Sequence, residues 1–308
     1  MFPRDFSSAC LGGLFMAGCA STPAVPNTHT HTESDVGQGT REQTQPEHTP
    51  GGWFEPWPDH HESQHDAPYV HNFGLEPAFL DRDLFIDLRR TRSSDSKDFE
   101  LAAELEWAVT RRIGVLLEAP LERLAPEMGS SESGLGDVAV ALRLLLIESP
   151  DFLLSSNLEL ALPSGSESKG LGSGETGFAP SFSAWFNLGG RLQASAVIGT
   201  ETGLESEDTE LFYGAALAYA FPQDDPIDAD SHDHSSDHAP SGLTSVMLEL
   251  TGQTALDGPD EGADSAEVLI GVSRSLTETW GVRGAYQFPI GPDQEFDSAV
   301  LIGLTYHF

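Results

Sequence analysis

Residues 99–110, FELAAELEWAVT, place Phe99, Leu101, Ala103, Leu105, Trp107 and Val109 on one parity and Glu100, Glu104 and Glu106 on the other. A period of two is that of an extended strand whose faces meet different surroundings. From about Leu75 onward the chain repeats this theme in segments of roughly ten residues, each bounded by Gly, Pro, Asp or Ser turns. FLLSSNLELALP, for example, sets Leu154, Leu158, Leu160 and Leu162 opposite Asn157 and Glu159. The chain is therefore all-β, and a soluble sandwich alternates in the same way, so further signals must decide the surroundings.

Three such signals favour a transmembrane antiparallel up-and-down β-barrel, in which closure leaves no backbone group unpaired in lipid. The chain ends VLIGLTYHF, with Val300, Ile302, Leu304, Tyr306 and Phe308 on one face. That ending resembles the C-terminal signature read by the outer-membrane barrel assembly machinery, which makes the machinery and outer-membrane lipid the expected partners. About twelve strands are predicted, over 79–91, 98–110, 112–124, 137–148, 151–163, 177–188, 190–200, 210–222, 243–255, 265–276, 279–289 and 297–308. Their connections alternate between short (TRR, ESPD, LGG, LTET) and longer, mostly acidic ones. An even count with both ends in the periplasm puts the short set there and the acidic set outside. Followed along the strands, Phe152, Trp107, Phe186, Phe221, Trp280 and Phe308 fall at the periplasmic level, and Phe99, Phe178, Phe288 and Phe296 at the outer one. One connection, Pro222 to Gly242, is long on the side where turns should be short.

The first residues, MFPRDFSSACLGGLFMAGCASTPA, read as an export signal: a weakly positive start, a short apolar run, then small residues. Met16-Ala17-Gly18-Cys19 resembles a lipobox, which makes residues 1–18 a lipoprotein-type signal peptide and Cys19 the lipidation site; a plain secretory signal cut a little later is the alternative. Residues 19–75 are Pro-, Thr-, Gly- and His-rich and too poor in aliphatics to offset their ordering entropy, the composition of a disordered periplasmic tether ahead of a barrel over 76–308. The aromatic cluster at Trp53, Phe54 and Trp57 could dock on a partner, plug a pore or lie at a membrane surface. With 49 acidic residues against 15 Lys and Arg, the chain carries −34 at neutral pH, which repels nucleic acid and anionic lipid. Adaptation to a salty medium and cation handling are both compatible with it.

Alternation turns Asp87, Arg89, Glu100, Glu104, Glu106, Glu118, Arg143, Glu159, Arg191, Glu249 and Arg283 toward the lumen, together with the polar Asn157, Gln193 and Gln287. In so narrow a barrel, mixed charges either line a water-filled path or pair across it and close it. If the path is open, Glu100, Glu104 and Glu106 favour cations. DADSHDHSSDH, residues 228–238, carries His232, His234 and His238, and the tether carries His60, His61 and His65. Imidazole with nearby carboxylate suits Zn, Cu, Ni or Co; an unselective solvated loop is the bland alternative. For catalysis, the only wall histidine, His307, points inward near the chain end and no GxSxG element accompanies it, so a lipid hydrolase is disfavoured and no enzyme is expected.

GLGDV (Gly134–Val138), LPSG (Leu162–Gly165) and GLGSG (Gly170–Gly174), followed by an aromatic-rich strand, resemble an outer-membrane barrel family labelled for the meta-pathway of phenol degradation. Ser164 stands where that pattern has Thr. The resemblance implies passage of small, including aromatic, molecules across the outer membrane. The residues themselves ask for less: Asp137 caps a turn, and the glycines permit tight backbone. The expected function is a channel or transporter for small solutes, with aromatic compounds and transition-metal ions as candidate cargo and His-rich segments that capture metal. The alternative is a closed structural or metal-buffering barrel.

Overall fold

The computed structural model describes residues 52–58, 63, 67–206, 208–221, 242–294 and 296–308. The strands are β1 (Arg82–Arg92), β2 (Lys97–Ala108), β3 (Ile113–Leu124), β4 (Glu132–Leu135), β5 (Val138–Ser149), β6 (Phe152–Leu162), β7 (Gly177–Gly189), β8 (Leu192–Gly203), β9 (Thr209–Ala220), β10 (Thr244–Ala255), β11 (Asp264–Ser275), β12 (Trp280–Pro289) and β13 (Ser298–His307). A single 3₁₀ turn, Glu167–Lys169, is the only helical element among the described residues.

Each strand pairs antiparallel with its sequence neighbour, and β1 pairs with β13 from Asp83↔His307 to Arg92↔Ser298, so the sheet closes on itself. β4 and β5 both pair with the same edge of β3. They are two pieces of one stave, broken at Gly136 and Asp137, and the barrel therefore has twelve staves. Every strand expected from alternation is present, with ends within three residues of the expected ones. The agreement has a physical cause: the outward parity meets an apolar medium and the inward parity does not. Leu158, Leu217, Ile270 and Ile302 stand exposed on the outside, whereas Asn157, Ala216 and Leu269 are buried within. Such an exposed aliphatic belt suits a barrel wall bathed in lipid.

The end of the barrel where the chain enters β1 and leaves β13 is here termed the terminal end. Aromatic side chains ring it on the outside: Trp107 and Phe308 lie 5.3 Å apart, Phe152 and Phe186 5.1 Å, Tyr219 and Phe221 5.2 Å, Trp280 and Tyr306 4.9 Å. At the far end, Phe178 and Phe288 are partly covered, but Phe296 turns in and is buried, with the Arg89 guanidinium 5.6 Å above its ring.

The expected tether needs correction between residues 67 and 75. This stretch does not stay outside the barrel: with residues 76–81 it forms a loop that climbs from the terminal end to mid-height in the lumen and returns to β1. Ala67, Ala78, Phe79 and Leu80 pack with Ala108, Leu145, Leu153 and Trp185; Val70 packs with Ala218, Ala220, Leu243 and Met247; Leu75, at the tip, packs with Ala179, Val197, Phe212 and Ala216. The segment fills the terminal half of the lumen as a core fills a soluble domain. Two wall glycines make room for it. A Cβ on Gly214 would stand 1.8 Å from Leu75 Cδ2 and one on Gly271 2.5 Å from Phe73 Cε2, the close approach that a glycine inside a strand permits. The Trp53–Trp57 cluster docks on the barrel's own terminal rim: Trp57 Nε1 donates to Leu80 O at 2.8 Å, and Trp53 O and Glu55 O accept from Thr110 Oγ1 and Arg111 N, each at 2.8 Å.

Candidate functional site

The lumen divides into a filled terminal half and a far half lined by carboxylates. Three charged wall residues expected to face inward hold the plug. Arg143, on β5, is 1 % exposed; its Nη2 donates to Pro77 O at 2.6 Å and Phe79 O at 3.0 Å, and its Nη1 pairs with Glu106 of β2. Glu249, on β10, is fully buried and accepts from the backbone N–H groups of Phe73 at 2.8 Å and Gly74 at 2.9 Å. Arg283, on β12, donates from Nη1 to Asn72 O at 3.2 Å, bonds Asp87 through Nε at 2.9 Å, and lies 5.1 Å over the ring of Phe73. The wall thus answers backbone groups that a loop carries into an enclosed space, where leaving them unpaired would cost about 1–3 kcal/mol each.

At the root of the plug lies a compact His–carboxylate group. His71 Nε2 is 3.1 Å from Asp81 Oδ2 and 3.2 Å from Asp83 Oδ2, and its Nδ1 is 3.9 Å from Glu106 Oε1. His307 Nδ1 stands 2.8 Å from Asp83 Oδ1. Burial works against a charged His71 imidazole, but its hydrogen bond with Asp81, its close pairing with Asp83 and the nearby charge of Glu106 outweigh that penalty and raise its pKa to about 10. The histidine is therefore a cation at neutral pH when only protons compete for it.

In the far half, β2 and β3 bring like charges opposite each other. Glu104 faces Glu118 and Glu100 faces Glu122 in the cross-strand register, and Arg89 of β1 faces Glu100. Glu159 adds a carboxylate from β6, and Glu76, carried by the plug tip, lies 3.6 Å from Arg143 Nη2. Directly opposed carboxylates destabilise a sheet, so this half of the wall is not optimised for packing.

Of the expected lumen residues, Asp87, Arg89, Glu100, Glu104, Glu106, Glu118, Arg143, Glu159, Glu249 and Arg283 lie on the inward parity. Arg191 does not. It is exposed at φ 69° in the turn after Gly189 and Gly190, with β8 beginning only at Leu192. The inward alternation of β8 stops at Leu192, because Gly189, Gly190 and Arg191 form a turn whose backbone is left-handed. The expected metal ligands His60, His61, His65, His232, His234 and His238, and the expected lipidation site Cys19, lie outside the described residues. His71 lies within the stretch whose composition reads as tether, and Asp81, Asp83 and Glu76 are not among the expected site residues. Asp83 carried a usable signal, since it shares the parity of Phe85, Asp87 and Arg89.

The glycine-rich motifs meet at the far rim. Asp137 Oδ1 accepts from Gly165 N at 2.9 Å, and its Oδ2 from Ser173 N at 2.7 Å and Ser173 Oγ at 2.8 Å. Ser164 Oγ donates to Gly136 O and accepts from Val138 N, both at 2.9 Å. GLGDV, LPSG and GLGSG thus form one clasp that fastens the 163–176 loop over the break between β4 and β5.

A family model described as "Putative MetA-pathway of phenol degradation" matches residues 91–230, the stretch that contains this clasp. No curated protein matches the chain. Among solved structures, an outer membrane channel from Pseudomonas putida F1 is similar at TM-score 0.54 and 12 % identity, over 78 % of this chain and 100 % of that one. The NanC porin is similar at TM-score 0.50 and 12 % identity, over 72 % of this chain and 100 % of that one. At this level of identity the likeness is one of fold: a closed twelve-stranded antiparallel barrel of the kind found in outer membranes.

Proposed function

We propose that the chain is an outer-membrane channel for small solutes whose path is stopped at the terminal end by its own residues 67–81. The observation that carries this reading is the contrast between the two halves of the lumen. The far half presents Glu100, Glu104, Glu118, Glu122 and Glu159 to the interior, a vestibule that favours cations over anions. The terminal half is occupied by a loop whose bonds to Arg143, Glu249 and Arg283 run through its backbone, so it can leave without breaking the strand pairing of the wall. Similarity to outer-membrane channels supports the reading. In it, the chain ends face the periplasm, Cys19 carries a lipid anchor, Phe308 serves recognition by the assembly machinery, and the His-rich segments stand where they could collect transition-metal ions. The apolar packing of Leu75, Phe79 and Leu80 favours one competing reading, a barrel that stays shut.

Planar-bilayer recording separates the two. Ala67 and Leu80 share one apolar cluster, so removal of residues 69–79 leaves ends that can be rejoined close to where they now lie. The full chain should give little or only intermittent current, and the shortened chain a steady conductance, once heat-modifiable gel migration shows that both are folded barrels. Silence from both proteins over a wide range of voltage and salt would defeat the channel reading. Equal, steady currents from both would defeat the plug.

A further inference from the structure

We propose that His71, Asp81 and Asp83 form a binding site for one divalent transition-metal ion, with zinc as the reference ion, that latches the plug to the first strand. This goes beyond the channel reading, does not depend on it, and involves none of His60, His61, His65, His232, His234 and His238. The three residues come from different parts of the structure: His71 from the rising limb of the plug, Asp81 from the foot of its returning limb, and Asp83 from β1. His71 Nε2 lies 3.1 Å from Asp81 Oδ2 and 3.2 Å from Asp83 Oδ2. Zinc bonds of about 2.0–2.2 Å at tetrahedral angles place neighbouring donors about 3.3–3.5 Å apart, within tenths of an ångström of both nitrogen–oxygen separations, and one ligand atom from each residue lies within 4.8 Å of the other two.

A proton on Nε2 cannot satisfy this arrangement. It lies within reach of two carboxylate oxygens and points along one direction only; Asp81 Oδ2 takes the hydrogen bond, and Asp83 Oδ2, on a side chain with no exposure, keeps a 3.2 Å ion-pair contact without an aligned hydrogen bond. A metal ion at the centre would answer both carboxylates. The supporting groups are of the kind that orients metal ligands. His307 Nδ1 holds the other oxygen of Asp83 at 2.8 Å, and Glu106 stands 3.9 Å behind Nδ1 of His71, itself fixed by Arg143. One imidazole and two carboxylates suit zinc better than magnesium, which keeps its waters and prefers oxygen alone. His71 retains 14 % side-chain exposure, so the site is not sealed from solvent.

The test uses the full chain in detergent, loaded with one equivalent of Zn²⁺ and dialysed against Mg²⁺. The chain should retain close to one zinc, and His71→Ala and Asp83→Asn should each lower the retained amount at least tenfold. Replacing His60, His61, His65, His232, His234 and His238 with Ser should leave it in place. Hydrogen exchange should show zinc slowing exchange across residues 67–81 in the parent chain and in neither site variant. Should a site variant fail to reach the folded barrel, X-ray absorption on the zinc-loaded parent decides: a shell of one imidazole and oxygens is expected, and a shell of two or more imidazoles overturns the site. Zinc retention that follows the six Ser replacements, or that is unchanged by His71→Ala, also overturns it. None of these readouts involves current, so their failure leaves the channel reading untouched.

Discussion

Arg143 is the residue on which plug and wall depend together. Its guanidinium is buried, pairs with Glu106, and donates to two carbonyl oxygens of the returning limb. Removing one partner of a buried ion pair costs about 3–5 kcal/mol, chiefly because the remaining charge is stranded. Arg143→Met should therefore lower the unfolding transition of the barrel in a thermal or denaturant series, and Arg143→Met with Glu106→Gln should recover much of the loss. Equal stabilities of the single and double variants would show that Glu106 is not stranded. Glu249 allows a more local measurement. As a carboxylate it presents an oxygen to each of two backbone N–H groups; Gln offers one oxygen, and an N–H₂ that would face the other donor. Hydrogen bonds to a charged group contribute about 1.5–3 kcal/mol, so Glu249→Gln should speed amide exchange at Phe73 and Gly74 by about ten- to a hundredfold while the amides of β10 keep their protection.

At the scale of elements, the strands were legible because lipid outside and lumen inside impose a period of two that survives any particular choice of residue. The plug was not legible for the complementary reason. YVHNFGLEPAFLD has no period, and the groups that order it are supplied by strands as many as 211 residues away along the chain. Composition alone gave His71, Asn72 and Gly74 the character of a tether, since the offset to their ordering entropy comes from Glu249, Arg143 and Arg283 rather than from the segment. The glycines of the wall held a partial clue. Gly214 and Gly271 sit on inward parities inside strands, where Gly weakens a sheet unless something approaches closely. Gly214→Val should displace Leu75 and leave the staves intact, read as faster exchange across residues 67–81 with unchanged exchange in β8 and β9; unchanged plug protection would show that Leu75 does not need the space. The clasp at the far rim was legible as motif and not as geometry. Asp137→Ala removes the acceptor for three bonds, and limited proteolysis should then cut between 163 and 176 at lower protease concentrations, with the barrel otherwise resistant.

For the whole molecule, the question is what an unplugged barrel would select. Among the described residues the inward wall of the far half carries Glu100, Glu104, Glu118, Glu122 and Glu159, while Arg283 is already matched by Asp87 and Arg89 faces Glu100 in the register. The surplus is negative, and it runs round the barrel: Glu201 of β8 faces Glu210 of β9 in the register, and Glu267 of β11 shares the inward parity, so β2, β3 and β6 do not carry it alone. Fixed charge of one sign in a narrow lumen raises the local concentration of the opposite ion, and salt screens it over a Debye length of about 10 Å at 0.1 M and about 3 Å at 1 M. The chain lacking residues 69–79 should therefore show a reversal potential of cation-selective sign under a KCl gradient centred near 0.1 M, shrinking toward zero as both sides approach 1 M. Glu104→Gln with Glu118→Gln removes one directly opposed carboxylate pair, and this variant should lose a measurable part of that potential. It should also be more stable than its parent, because neutralising two like charges held opposite each other relieves repulsion in the sheet. Selectivity that persists at 1 M would place the selecting charges outside this wall, and selectivity that ignores both substitutions would place them outside this pair.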